Sequence, residues 1–283
     1  MANAAANRPI GNGYLYYRHT FPVRLMHWTN VVALTILLMS GLQIFNAHPR
    51  LYWTGKSSYT GVPPIFEISA RRGDETGAVG TTQVFGREFN TTGVLGVSNN
   101  AEGEPTARGF PWWATIPDNP WLSMARAWHF FFAWVLLVNG LAYVTYSAAT
   151  RHLSRDLAPD GNDWRTIGRS IRDHLLFRHP QGEAAKRYNV LQKLAYLVVI
   201  FVLLPLIILA GLAMSPWMNS ALPGWVDVLG GRQAARTIHF VAAWLLVAFV
   251  VIHVFEVVVS GLWNHLRSMI TGRYRIRAEE RHG

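Results

Sequence analysis

The chain has 283 residues, 51% of them hydrophobic and only 15% charged, with 12 Trp and no Cys. That balance excludes an ordinary soluble domain, and the missing Cys excludes disulfides, thiolate-held iron-sulfur clusters and covalently attached c-type haem. The formal net charge of +10 does not indicate nucleic-acid binding, because the basic residues gather in segments between and after apolar runs, where they act as topology signals.

Residues 1 to 23 are polar and aromatic with no apolar core of a signal peptide, so the first apolar run reads as a retained anchor. Four runs, 24–45, 126–148, 190–214 and 236–263, each hold about the 20 residues that a helix needs to cross a hydrocarbon layer. They predict an all-α membrane protein, a single domain over 1–283 built as a bundle of four transmembrane helices. The first run opens with "RLMHW" at Arg24 to Trp28. Residues 46–125 follow with six basic and seven acidic residues, abundant Gly and Pro, and the stretch "FPWW"; they read as a long loop that caps the bundle or docks a partner, with no secondary structure assigned.

The second run opens with "RAWH" at Arg126 to His129, and residues 149–189 after it hold eight Lys or Arg. Pro205 interrupts the third run and predicts a kink. The connection 215–235 has one basic residue, Arg232; the fourth run opens with "RTIH" at Arg236 to His239, and the tail from Asn264 holds five basic residues. By the positive-inside rule both termini and 149–189 are cytoplasmic, and 46–125 lies on the outer side. Trp28, Trp128 and Trp263 fall near span ends, as an aromatic belt does.

Four histidines lie inside the runs: His27, His129, His239 and His253. Ionisable groups in a membrane are costly, so they point to function. With alternating span directions His129 and His239 share the outer level. His253 is 14 residues beyond His239, about 21 Å down a helix and nearly four whole turns. It therefore shares a face with His239 and the inner level with His27. Two levels of paired imidazoles match two bis-histidine haem b groups, with His27 and His253 on the inner iron and His129 and His239 on the outer iron. Arg24, Arg126 and Arg236, one turn from three of these histidines, are expected to pair with haem propionates. Zinc fits less well, since a zinc site gathers its ligands in one compact tetrahedron. Gly41 and Gly140 are candidates for admitting a porphyrin ring, and Glu256 for orienting His253 or carrying protons. His19, His48, His152, His174, His179, His265 and His282 are read as surface or interfacial.

With these residues the chain resembles the four-helix di-haem cytochrome b family that includes membrane subunits of nickel-iron hydrogenases and formate dehydrogenases, and small quinol-oxidising bacterial b cytochromes. The resemblance rests on "RLMHW", on His129 and on "HFVAAWLLVAFVVIHV", and it implies the same ligand pairing. It also implies ubiquinone or menaquinone as substrate, at a site near the inner haem where this chain reads "KRYNVLQK", making Asn189 and Gln192 candidate quinone contacts. The expected function is that of an electron-transfer subunit linking the quinone pool to a periplasmic redox enzyme: a hydrogenase, a dehydrogenase or a molybdopterin oxidoreductase. The long outer segment departs from the family pattern. The alternatives are a stand-alone quinone-linked oxidoreductase such as a superoxide oxidase, and a haem-free proton or metal transporter.

Overall fold

A computed structural model describes residues 8–10, 13–55, 58–73, 77–176 and 186–277; His179 and His282 lie outside the described residues. In chain order, β1 (Arg8–Pro9) and β2 (Gly13–Tyr17) precede the long helix α1 (Phe21–Asn46). Six strands follow: β3 (Arg50–Leu51), β4 (Phe66–Arg72), β5 (Ala78–Val84), β6 (Arg87–Asn90), β7 (Gly96–Asn99) and β8 (Pro105–Arg108). Then come α2 (Leu122–Ala149), α3 (Gly161–Leu175) and α4 (Val190–Ala213). The short helices α5 (Pro216–Ala221) and α6 (Trp225–Val228) lead to α7 (Gly231–Val259), α8 (Leu262–Thr271) and β9 (Arg273–Arg277).

Four helices, α1, α2, α4 and α7, are long and apolar enough to cross a membrane. They correspond to the four runs expected from sequence and make the chain a mostly helical, multi-pass membrane protein. Their surfaces agree with that role, since Val138, Leu141, Val251 and Ile252 are each at least 60% exposed, an arrangement that a lipid environment makes favourable. α7 ends at Val259, short of the expected residue 263, because Gly261 takes a φ of +116° that only glycine adopts readily. In α4 a π-helical turn at Val199–Leu203 lies just ahead of Pro205. Proline has no N–H to donate one turn back and its ring crowds that carbonyl; the wider turn relieves both.

The chain is not all-α. Residues 46–125, expected to be loop, contain a four-stranded antiparallel sheet in the order β3-β4-β5-β6 and a separate β7-β8 hairpin. The register pairs Ile68 with Thr82 and Thr82 with Phe89. The alternation of "FEISARR" buries Ile68 on one face and leaves Arg71 on the other, where its guanidinium meets Glu88 at 2.8 Å.

The contacts divide the chain into two compact units. Unit one is Met1–Thr29, Asn139–Leu204 and Leu245–Gly283. In it β2 lies between β1 and β9 in an antiparallel sheet, with Tyr14 opposite Ile276. α3 is fixed by Lys193, the fourth residue of α4, whose ammonium donates to the Asp163 carboxylate at 2.7 Å. Unit two is Asn30–Val138 and Pro205–Trp244. Its core joins Leu42 and Phe45 of α1 to Leu51, Ile68 and Phe110, with Phe240 of α7 packed against them.

Candidate cofactor site

In unit one, α1 and α7 bring His27 and His253 together, ring centroids 6.4 Å apart and planes tilted by 57°. Trp28 meets His27 edge-on at 5.4 Å, and Phe249, one turn before His253, stacks on it at 5.9 Å. Asn139 ties α2 to α1 beside this pair, donating to the Met26 carbonyl at 2.8 Å. His27 Nδ1 is buried without a hydrogen-bond partner, which is unfavourable for a ring that nothing else holds.

In unit two, α2 and α7 bring His129 and His239 together, ring centroids 6.1 Å apart and planes at 63°. His239 Nδ1 lies 2.8 Å from the Ile207 carbonyl of α4. That oxygen only accepts, so the proton sits on Nδ1 and Nε2 keeps its lone pair. His129 Nδ1 lies 3.1 Å from Ser40 Oγ, and this hydroxyl already donates to the Ile36 carbonyl at 2.6 Å. Ser40 therefore accepts from Nδ1–H, which again leaves Nε2 as the free donor atom. Hydrogen bonds of this kind fix the tautomer and orientation of metal-bound imidazoles.

Two glycines make this approach possible. A Cβ on Gly41 would stand 3.3 Å from His129 Cε1, and one on Gly211 would stand 3.2 Å from His239 Cε1. The space left open at Gly41 thus receives an imidazole, where the sequence suggested a porphyrin; a Cβ at Gly140 would meet nothing within 4 Å. Ser40, Asn139 and Gly211 escaped the sequence reading. The available signal for Ser40 was a polar residue beside Gly in "LLMSGLQIF", which lies in the middle of an apolar run.

The two pairs fit a metal held between facing imidazoles. A metal–nitrogen bond of about 2 Å on each side, plus about 1 Å from nitrogen to ring centre, separates two axial rings by roughly 6 Å. The observed separations are 6.1 and 6.4 Å. Among the described residues no three His, Cys, Asp or Glu converge as a metal-binding group; the arrangement is one of pairs.

The remaining candidates have protein partners of their own. Arg24 donates to the Ile270 carbonyl and lies over the Phe21 ring. Arg236 donates to the His48 carbonyl and lies over Phe45. Arg126 is exposed, 5.6 Å above the Phe130 ring. Asn189 and Gln192 form a capping box at the start of α4: Asn189 Oδ1 accepts from Leu191 N at 3.1 Å, and Gln192 Oε1 accepts from Asn189 N at 3.2 Å. Such caps satisfy the amide groups that a helix start leaves unpaired. Glu256 meets His174 at 3.5 Å. His19 is only partly exposed; burial first, and then the Arg18 charge, push its pKa down to about 3.

Imidazoles set in facing pairs within apolar spans are the architecture of a membrane cytochrome b. The chain belongs to the prokaryotic cytochrome b561 family, whose model matches residues 103–272. It is 28% identical over 240 residues to an Azospira oryzae protein provisionally named a protein-methionine-sulfoxide reductase subunit, covering 85% of this chain and 89% of that protein. It is 22% identical over 282 residues to a Cupriavidus necator protein provisionally named a Ni/Fe-hydrogenase B-type cytochrome subunit, covering 95% and 89%. Membership implies haem b and a role in electron transfer.

Proposed function

We propose that the chain works as one di-haem cytochrome b domain of a bacterial inner membrane and carries electrons between the quinone pool and a periplasmic redox enzyme. His27 and His253 hold the inner haem, and His129 and His239 the outer one. The observation that carries this reading is the pair of imidazole separations, 6.4 and 6.1 Å, each the width of a six-coordinate iron with two axial rings. Haem b held there would supply one-electron chemistry, and an imidazole on each side would leave no position for a substrate.

The polypeptide's contribution is orientation. Ser40 and the Ile207 carbonyl hold the Nδ1 protons of the outer pair, and Gly41 and Gly211 give the rings room. Arg24, Arg126 and Arg236 supply positive charge near the propionates, Arg126 most directly because its guanidinium is exposed. The quinone is assigned to the start of α4, near Asn189 and Gln192, whose capping box fixes the local backbone. The basic segment 149–189 and the basic tail support cytoplasmic termini, and with them a periplasmic position for the β-rich segment 46–125, which we assign as the docking surface. The names of the two relatives support a hydrogenase-type or sulfoxide-reductase-type partner.

A pyridine haemochrome assay on the purified chain, with a reduced-minus-oxidised spectrum, is expected to give two haem b per polypeptide. His129→Ala and His239→Ala should each remove one haem and keep the other. A folded, haem-supplied preparation that binds none would overturn the assignment.

A further inference from the structure

α3 runs along the ends of two spans. Asp163 binds Lys193, three residues into α4, and His174 meets Glu256, three residues before the end of α7. Both anchors lie within one turn of a span terminus, so the helix is held at the depth where hydrocarbon gives way to headgroups. At 100° per residue Asp163, Ile167, Ser170 and His174 share the face turned to these spans. The rest of the helix surface has two exposed strips, one on its flank and one opposite the spans. Trp164 and Ile171 are 55% and 45% exposed and form an apolar strip; Arg165, Arg169 and Arg172, all exposed, form a basic strip beside it. In α8, at the same ends of the spans in unit one, Trp263 and Ile270 are exposed as well.

An exposed aromatic strip in water is unfavourable, and a row of arginines on its border suits phosphate. An aromatic and aliphatic strip set against a basic one is the pattern of a helix lying in a membrane interface. We propose that α3 is a binding site for anionic phospholipid headgroups: Trp164 and Ile171 enter the acyl boundary, and Arg165, Arg169 and Arg172 take the phosphates. The site does not depend on the haem assignment or on which side of the membrane this end faces.

The test is thermal unfolding of the full-length protein in neutral detergent, titrated with phosphatidylglycerol, phosphatidylcholine or inorganic phosphate. Phosphatidylglycerol should raise the midpoint at low concentration while phosphatidylcholine does not. Each arginine near an anionic surface contributes about five-fold in affinity, so the Arg165→Gln, Arg169→Gln, Arg172→Gln variant should need about a hundred-fold more phosphatidylglycerol for the same rise. If that variant fails to fold, Arg169→Gln alone should show the five-fold change. An unchanged response in a folded variant overturns the proposal. So does a wild-type protein indifferent to phosphatidylglycerol, which would leave the face to a protein partner, or one shifted equally by phosphatidylcholine. Inorganic phosphate reproducing the rise would define a free-anion site and overturn the lipid assignment.

Discussion

Ser40 is fully buried in the middle of an apolar helix, and its hydroxyl accepts the Nδ1 proton of His129. Donation from that proton makes the imidazole a more basic ligand, which favours ferric iron. On the proposed di-haem assignment, Ser40→Ala should therefore move the potential of one haem upward and leave the other unchanged, as read by redox titration; equal shifts in both, or none, would remove Ser40 from a positioning role. Gly211→Ala sets a methyl group 3.2 Å from His239 Cε1, closer than ordinary van der Waals contact. The ring must yield by a few tenths of an ångström, and on the proposed assignment the low-spin electron paramagnetic resonance signal of one haem should shift or broaden while that of the other holds. The facing of His27 with His253 and of His129 with His239 was legible in sequence because helix periodicity fixes which residues share a face and a level. Ser40 and Gly211 were not, because what makes each of them matter is a ring carried on a different helix, and no spacing along one chain segment reports that.

Among the elements, α3 and α4 are joined by an ion pair whose side chains are only 17% and 10% exposed. Removing one partner leaves a buried charge, so Asp163→Asn should cost roughly 3 kcal/mol of stability, the lower end for a buried pair. Partial burial alone would raise the Asp163 pKa, but the hydrogen bond and charge of Lys193, with the Asp160 amide, outweigh it and hold the carboxyl below its ordinary value of 3.8. A depressed pKa gives stability that is complete above the ordinary value and is lost as the pH falls through the lowered one. The difference between wild type and variant in denaturant midpoint should thus be constant near neutrality and shrink below about pH 4. The span helices were readable to within five residues because length and apolarity dominate there. The strands of 46–125 carried a weaker signal: "FEISARR" alternates as strands do and "GTTQV" carries the β-branched residues that strands favour, with Phe85 and Gly86 making the turn into β6. The Gly, Pro and charge between these short runs masked the alternation.

For the molecule as a whole, the sheet-bearing segment gives the docking proposal a defined surface. Phe85 and Phe89, on the β5-β6 hairpin, are 78% and 53% exposed and stand away from the core of unit two. Phe85→Asp with Phe89→Asp should abolish co-purification with the proposed redox partner while leaving the haem content and spectrum of the isolated chain unchanged; retained complex would move the docking surface elsewhere. One further consequence belongs to the pairing of Gly13–Tyr17 with Arg273–Arg277. Two strands that share hydrogen bonds lie on the same side of a bilayer, so the chain between them must cross an even number of times. Four crossings satisfy this parity, whereas losing or gaining a single crossing during insertion would strand the two partners on opposite faces. The strand after the fourth crossing thus closes a clasp on the strand before the first, and a chain with an odd number of crossings cannot close it.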